Sequence, residues 1–158
     1  MKPEIKQWKS LVISLLLTLA VGGLAGFATA GSMEKYANLY QPPLAPPGWL
    51  FPVVWTILYV LMAVAAWRVF ISHSPNKQQA LLLYGIQLIV NALWPVLFFT
   101  LDAYLLAFAW LLLLWYLVFM MFRQFKEIDP LAGWLIVPYL VWLTFAAYLN
   151  LAIAIHYL

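Results

Sequence analysis

Five apolar runs, separated by short polar breaks, follow one another along the chain. They fall at about residues 11–30, 49–71, 78–100, 103–122 and 131–157, and a helix needs about 20 such residues to cross a hydrocarbon core. The pattern predicts an all-α integral membrane protein: one domain over residues 1–158, built as a bundle of five transmembrane helices. The longest break, residues 31–48, differs from the others in holding Pro42, Pro43, Pro46 and Pro47, with Pro52 just beyond. Each proline removes an amide donor and biases its predecessor toward extended geometry, so a stiff extended lid is expected over 31–48.

Polar and aromatic positions inside the runs keep helical spacing. In the third run Tyr84, Gln87, Asn91, Trp94 and Phe98 recur every three or four residues, which places them on one face; Tyr139, Trp142, Ala146 and Asn150 do the same in the fifth. An unpaired amide in hydrocarbon costs several kcal/mol, on the order of the usual penalty for a buried polar group, so these faces are expected to point inward. Pro95 predicts a kink beside Asn91. In the first run Thr18, Gly22, Gly26 and Ala30 form a stripe of small residues suited to close helix approach, inside one protomer or across a dimer. The charged break RQFKEIDP at 123–130 is read as a loop ending in a helix start at Asp129-Pro130.

Composition settles the class: 67% of residues are hydrophobic and 8% charged, against about a quarter charged in a soluble globule. The absence of cysteine excludes disulfides, thiol nucleophiles and Cys-ligated metal. The net charge of +3 is a topology signal rather than a nucleic-acid patch, because five spans gather Lys2, Lys6, Lys9, Arg68, Lys77, Arg123 and Lys126 on one side and leave Lys35 on the other. The expectation is a multi-pass protein of a bacterial inner membrane, N-terminus cytoplasmic and C-terminus outside. The first run is too long for a signal-peptide core and is expected to be retained.

With this topology the informative residues share the outer half of the bundle. Trp49, Phe51 and Trp55 begin the second span there, Tyr104 and Phe108 begin the fourth, and the two amide-bearing faces end there. The expected result is an aromatic cavity under the 31–48 lid, against the alternative of a plain interfacial belt of tryptophan and tyrosine. No Asp, Glu or Lys lies deep in a span, which argues against ion-coupled transport. His73 and His156 fall on opposite sides, so no shared metal site is expected, and no catalytic triad or carboxylate pair can be assembled. What remains is a site for a flat apolar ligand with a few polar edges, requiring no cofactor.

The chain resembles the tryptophan-rich sensory proteins and their mitochondrial relatives, the translocator proteins or peripheral benzodiazepine receptors. The resemblance rests on Tyr36 with Leu39, PPLAPPGW at 42–49, FPVVWTILY at 51–59, Leu61-Met62, Ala66-Trp67, Asn91 with Trp94 and Phe98-Phe99, and PYLVWLTFAAYLN at 138–150. It implies a five-helix bundle, often a homodimer, that binds porphyrins such as protoporphyrin IX or haem, and isoquinoline-type molecules, beneath the first loop. It also implies that Tyr36, Trp55, Asn91 and Trp142 line that pocket with Ala146 on its wall, and it adds Pro47 and Tyr59 from the matched blocks to the ligand-binding set. Pro52-Val53 departs from the family's usual Gly-Pro here. No basic residue follows Tyr157, so cholesterol recognition is not supported. A sensory or regulatory tetrapyrrole-binding protein is the expected function. The alternatives are a porphyrin transporter, or an enzyme degrading porphyrin with light and oxygen through Trp55 and Trp142; a non-enzymatic role is preferred.

Overall fold

The computed structural model describes residues 3–158, with side chains from Lys6 onward. Its elements are α1 (Pro3–Ala28), the short α2 (Ser32–Asn38), α3 (Leu50–Phe70), α4 (Lys77–Pro95), a π-helical segment (Val96–Thr100), α5 (Tyr104–Ile128) and α6 (Pro130–His156). Five of these stretches are long and apolar enough to cross a membrane: Lys6–Ala28, Leu50–Phe70, Lys77–Thr100, Tyr104–Ile128 and Pro130–His156. α5 packs chiefly on α6, and α1 chiefly on α3.

Beyond α1, which is already helical before the first apolar run begins, two boundaries differ from the sequence reading. The fourth span does not stop at 122: α5 continues through Arg123 and Lys126 to Ile128, so most of the charged 123–130 break is helical. Charge does not end a helix, and Arg, Gln, Lys and Glu are good helix formers; termination comes from Asp129-Pro130, where proline restricts its predecessor. Asp129 starts α6, its Oδ1 accepting from the Leu131 amide at 3.1 Å, while its Oδ2 accepts from Arg68 Nε of α3 at 2.7 Å. The other difference lies in the lid, where α2 supplies one and a half turns of helix before the prolines begin.

Prolines mark three further points. Pro52 lies in the first turn of α3, where a missing amide has no helical partner to lose. Pro138 lies within α6, which continues through it. Pro95 ends α4, and the chain widens into the π segment, closed by a Leu101 amide bond to the Val96 carbonyl at 3.0 Å. A tight turn through Asp102, in left-handed conformation at φ 52°, then starts α5. Asp tolerates that region better than most residues.

Apolar burial does little to hold helices together in lipid, so close packing and interhelical hydrogen bonds carry the bundle. Leu114, Met121 and Phe125 of α5 meet Ile136 and Leu143 of α6, all fully or nearly fully buried. At Gly133 a Cβ would lie 2.7 Å from the Lys126 Cα, so only glycine allows this helix approach. α1 is tied by side chains: Ser14 Oγ donates to the Ala63 carbonyl at 2.8 Å, the Trp67 indole donates to the Gln7 carbonyl at 3.0 Å, and Thr18 and Tyr84 share a hydrogen bond.

Candidate functional site

A cavity of about 560 Å³ lies between α1, α2, α3, α4 and α6, beneath the lid. Its aromatic wall is built by four elements. Trp55 comes from α3, Trp94 from α4, Phe98 and Phe99 from the π segment, and Trp142 from α6. The Trp55 and Trp142 rings meet edge to face with centroids 6.5 Å apart, and Phe51 meets Trp142 at 5.7 Å. The Trp94 ring stacks on Phe98 at 5.1 Å and meets Phe99 edge-on at 6.0 Å. The wider turn of the π segment gives both phenylalanines a place on the wall.

Polar groups around this wall are almost all paired. Tyr59 donates to Asn91 Oδ1 at 2.6 Å, Asn91 Nδ2 donates to Tyr139 Oη at 2.7 Å, and Tyr139 donates to Gln87 Oε1 at 2.9 Å. This ladder runs from the cavity floor into the core. On the opposite flank the Trp94 indole donates to Asn150 Oδ1 at 3.0 Å, and Asn150 Nδ2 donates to the Tyr104 carbonyl at 2.9 Å. The exception is Trp142, whose indole N–H is buried without a partner. A buried donor left unmet costs on the order of 1–3 kcal/mol, and this one is shielded from the cavity as well as from solvent.

The lid is fastened at both ends of its course. Tyr36, buried in α2, donates to the Pro46 carbonyl at 2.9 Å and packs against Phe51; burial pushes its phenol above the ordinary tyrosine value. Lys35 binds the Asp102 carboxylate and also donates to the Phe99 carbonyl, at the end of the π segment. Hydrogen bonding to Lys35 holds the Asp102 carboxyl below its usual value. From α6, Tyr148 donates to the Pro43 carbonyl at 2.7 Å, Tyr157 Oη accepts from the Tyr40 amide at 3.0 Å, and His156 stacks on Tyr40 at 4.1 Å.

Of the residues expected at the site, Tyr36, Trp55, Tyr59, Asn91, Trp94, Phe98, Trp142, Ala146 and Asn150 line this cavity. The structure does not bring the other five to its wall. Trp49 is 69% exposed, as a belt residue would be, and Pro47 is exposed on the lid. Tyr139 is fully buried below the floor, on the Asn91 ladder. Tyr104 packs behind Phe98 at 4.9 Å, and Phe108 is half-buried on α5, which contributes nothing to the lining.

Sequence reasoning also missed a whole side. α1 contributes Leu19, Gly22, Gly23 and Gly26, and α2 contributes Met33 and Glu34. The small-residue stripe was the available signal for the first group: at Gly22 a Cβ would lie 2.5 Å from Tyr59, so the stripe makes a close contact inside the protomer. Around Gly26 no atom lies within 4 Å of an added Cβ, and its missing side chain leaves room at the cavity edge.

Against known proteins, the profile described as the TspO/MBR family matches residues 14–156. The chain is 41% identical over 127 residues to the tryptophan-rich sensory protein of Cereibacter sphaeroides, covering 78% of this chain and 79% of that one. Identity to the tryptophan-rich protein TspO of Chlorobaculum tepidum is 36% over 152 residues, or 94% and 96% of the two chains. The translocator protein of Ovis aries is 33% identical over 143 residues, 87% and 85% of the two.

Proposed function

Because the chain belongs to the TspO/MBR family, we propose that it is a membrane protein that senses or regulates by binding a tetrapyrrole, such as protoporphyrin IX or haem, in the cavity under its first loop. The observation that carries this reading is the cavity of about 560 Å³ walled by Trp55, Trp94, Phe98, Phe99 and Trp142. That volume is within the range of sites for flat ligands of this size, roughly 300–1,000 Å³, and such sites are apolar with few polar groups. Isoquinoline-type molecules suit the same wall. The words "sensory" and "translocator" belong to the relatives' names; here they support a ligand-responsive role.

The gathering of lysines and arginines on one side of the five spans supports a cytoplasmic N-terminus, read here for a bacterial inner membrane. At Gly22 the small-residue stripe is already taken up by Tyr59 within the protomer, so that position is not free for a homodimer contact. Among the described residues no charged side chain is buried, and this supports binding over ion-coupled transport.

Titration with protoporphyrin IX tests the proposal. Tryptophan fluorescence should quench saturably. A linear response equal to that of empty micelles would remove the cavity as the site.

A second reading, light- and oxygen-dependent breakdown of the bound porphyrin, is favoured by the Trp55–Trp142 ring contact on the cavity wall. Here the porphyrin is the photosensitiser and O2 the oxidant. Trp55→Phe with Trp142→Phe should keep most binding and abolish turnover under light; turnover persisting undiminished would exclude these indoles.

A further inference from the structure

Among the described residues lining the cavity, a single one carries a charge, and it is an acid: Glu34, exposed on α2. Lys35, the next residue in the chain, does not neutralise it, because its ammonium is held by the Asp102 carboxylate and the Phe99 carbonyl. Glu34 makes no ion pair or hydrogen bond with another described residue. The rest of the lining is uncharged, and both amide ends of Asn91 and of Asn150 are engaged with other residues.

From this single charge we infer that Glu34 is the specificity-determining residue of the cavity, favouring flat ligands that turn a neutral or cationic edge toward the lid, and discriminating against those that present carboxylates there. The inference rests on the tetrapyrrole reading and sharpens it: a dicarboxylic porphyrin must keep its acids away from α2, whereas its esterified or amine-bearing counterpart has no such constraint. Two like charges about 4 Å apart, even with the dielectric of water, account for about a fivefold change in affinity.

Three probes share one ring system: protoporphyrin IX, its dimethyl ester, and its bis-amide bearing terminal amines. Their dissociation constants would be measured by tryptophan quenching in a neutral detergent on the full-length protein, on Glu34→Gln and on Glu34→Lys. Micellar partitioning of each probe cancels when one probe is compared across the three proteins. From the unaltered protein to Glu34→Gln the diacid should gain affinity and the amine lose it, narrowing the amine-to-diacid ratio about fivefold; Glu34→Lys should carry both changes further, and the ester should change little. Raised salt should narrow the ratio in the unaltered protein only. Glu34 is exposed and supports no contact, so melting temperatures should be alike. If all three probes saturate and their ratios are the same in the three proteins, Glu34 sets nothing and the tetrapyrrole reading stands; if none saturates, that reading falls and this inference with it.

Discussion

Asn91 holds two tyrosines at once, accepting from Tyr59 and donating to Tyr139. Its amide therefore belongs first to the fold. Asn91→Leu should lower stability by about 1–3 kcal/mol, toward the small end because partners inside a membrane are partly replaceable, and the loss should appear as a lower melting temperature without ligand. A variant that melts normally yet loses ligand would make the amide a ligand contact instead. Gly22 offers a second test against its neighbour on the stripe. Even Gly22→Ala puts a Cβ 2.5 Å from a Tyr59 ring that Asn91 holds in place, so it should destabilise measurably, whereas Gly26→Ala meets nothing and should stay within about 0.5 kcal/mol. Equal melting of the two variants would mean that Tyr59 yields. At this scale the helical faces were legible and their depth was not: Tyr139 and Trp142 share the face predicted from spacing, but a stretch of three residues spans both the core below the cavity and the cavity wall. Spacing fixes direction around a helix axis and carries no information about which neighbour fills the space opposite.

Among the elements, the lid is the one whose fastening is ionic. Lys35 joins α2 to the turn after the π segment through Asp102. The carboxyl is held below its ordinary value in the folded protein, so the contact is fully present above about pH 4, the usual carboxylate range, and is lost as pH falls through the lower folded value. Ligand release should accordingly accelerate as pH drops below about 4. Asp102→Asn should release faster already at neutral pH and lose this acid dependence. Proteolysis within residues 39–48 gives an independent readout of the same opening; unchanged release and cleavage would show that the Tyr148 and Tyr157 contacts hold the lid alone. Nothing in the sequence marked this fastening, since Lys35 and Asp102 lie 67 positions apart by their numbering and outside any periodic run. α2 escaped notice for a related reason: its seven residues are too few to show a helical period, and the prolines beyond it dominated the reading. The spans themselves were legible because apolar length is the one quantity a bilayer demands.

For the whole molecule, the five long helices are unequal partners. Of the apolar window in α1 only 6% of residues are buried, against 28–33% in the other four. α1 nevertheless forms a wall of the cavity through Gly22, Gly23 and Gly26. Ligand at 100 times its dissociation constant should stabilise the protein by about 2.7 kcal/mol, and amide hydrogen exchange should slow most in residues 18–30 and in α2. Uniform slowing along all five helices would place the bound molecule elsewhere. The thinness of that wall has a consequence for any measured affinity. Gly23 and Gly26 of α1 and Ala30 in the turn after it, with Pro52 and Thr56 of α3, are at once lining and exposed, so the cavity opens sideways at the level of the spans. The fluid outside that opening is hydrocarbon, and acyl chains or detergent tails are then standing competitive inhibitors of the site. Apparent dissociation constants should rise with detergent chain length and with micelle concentration, and a value obtained in one detergent describes an exchange reaction in which a tail leaves as the ligand arrives.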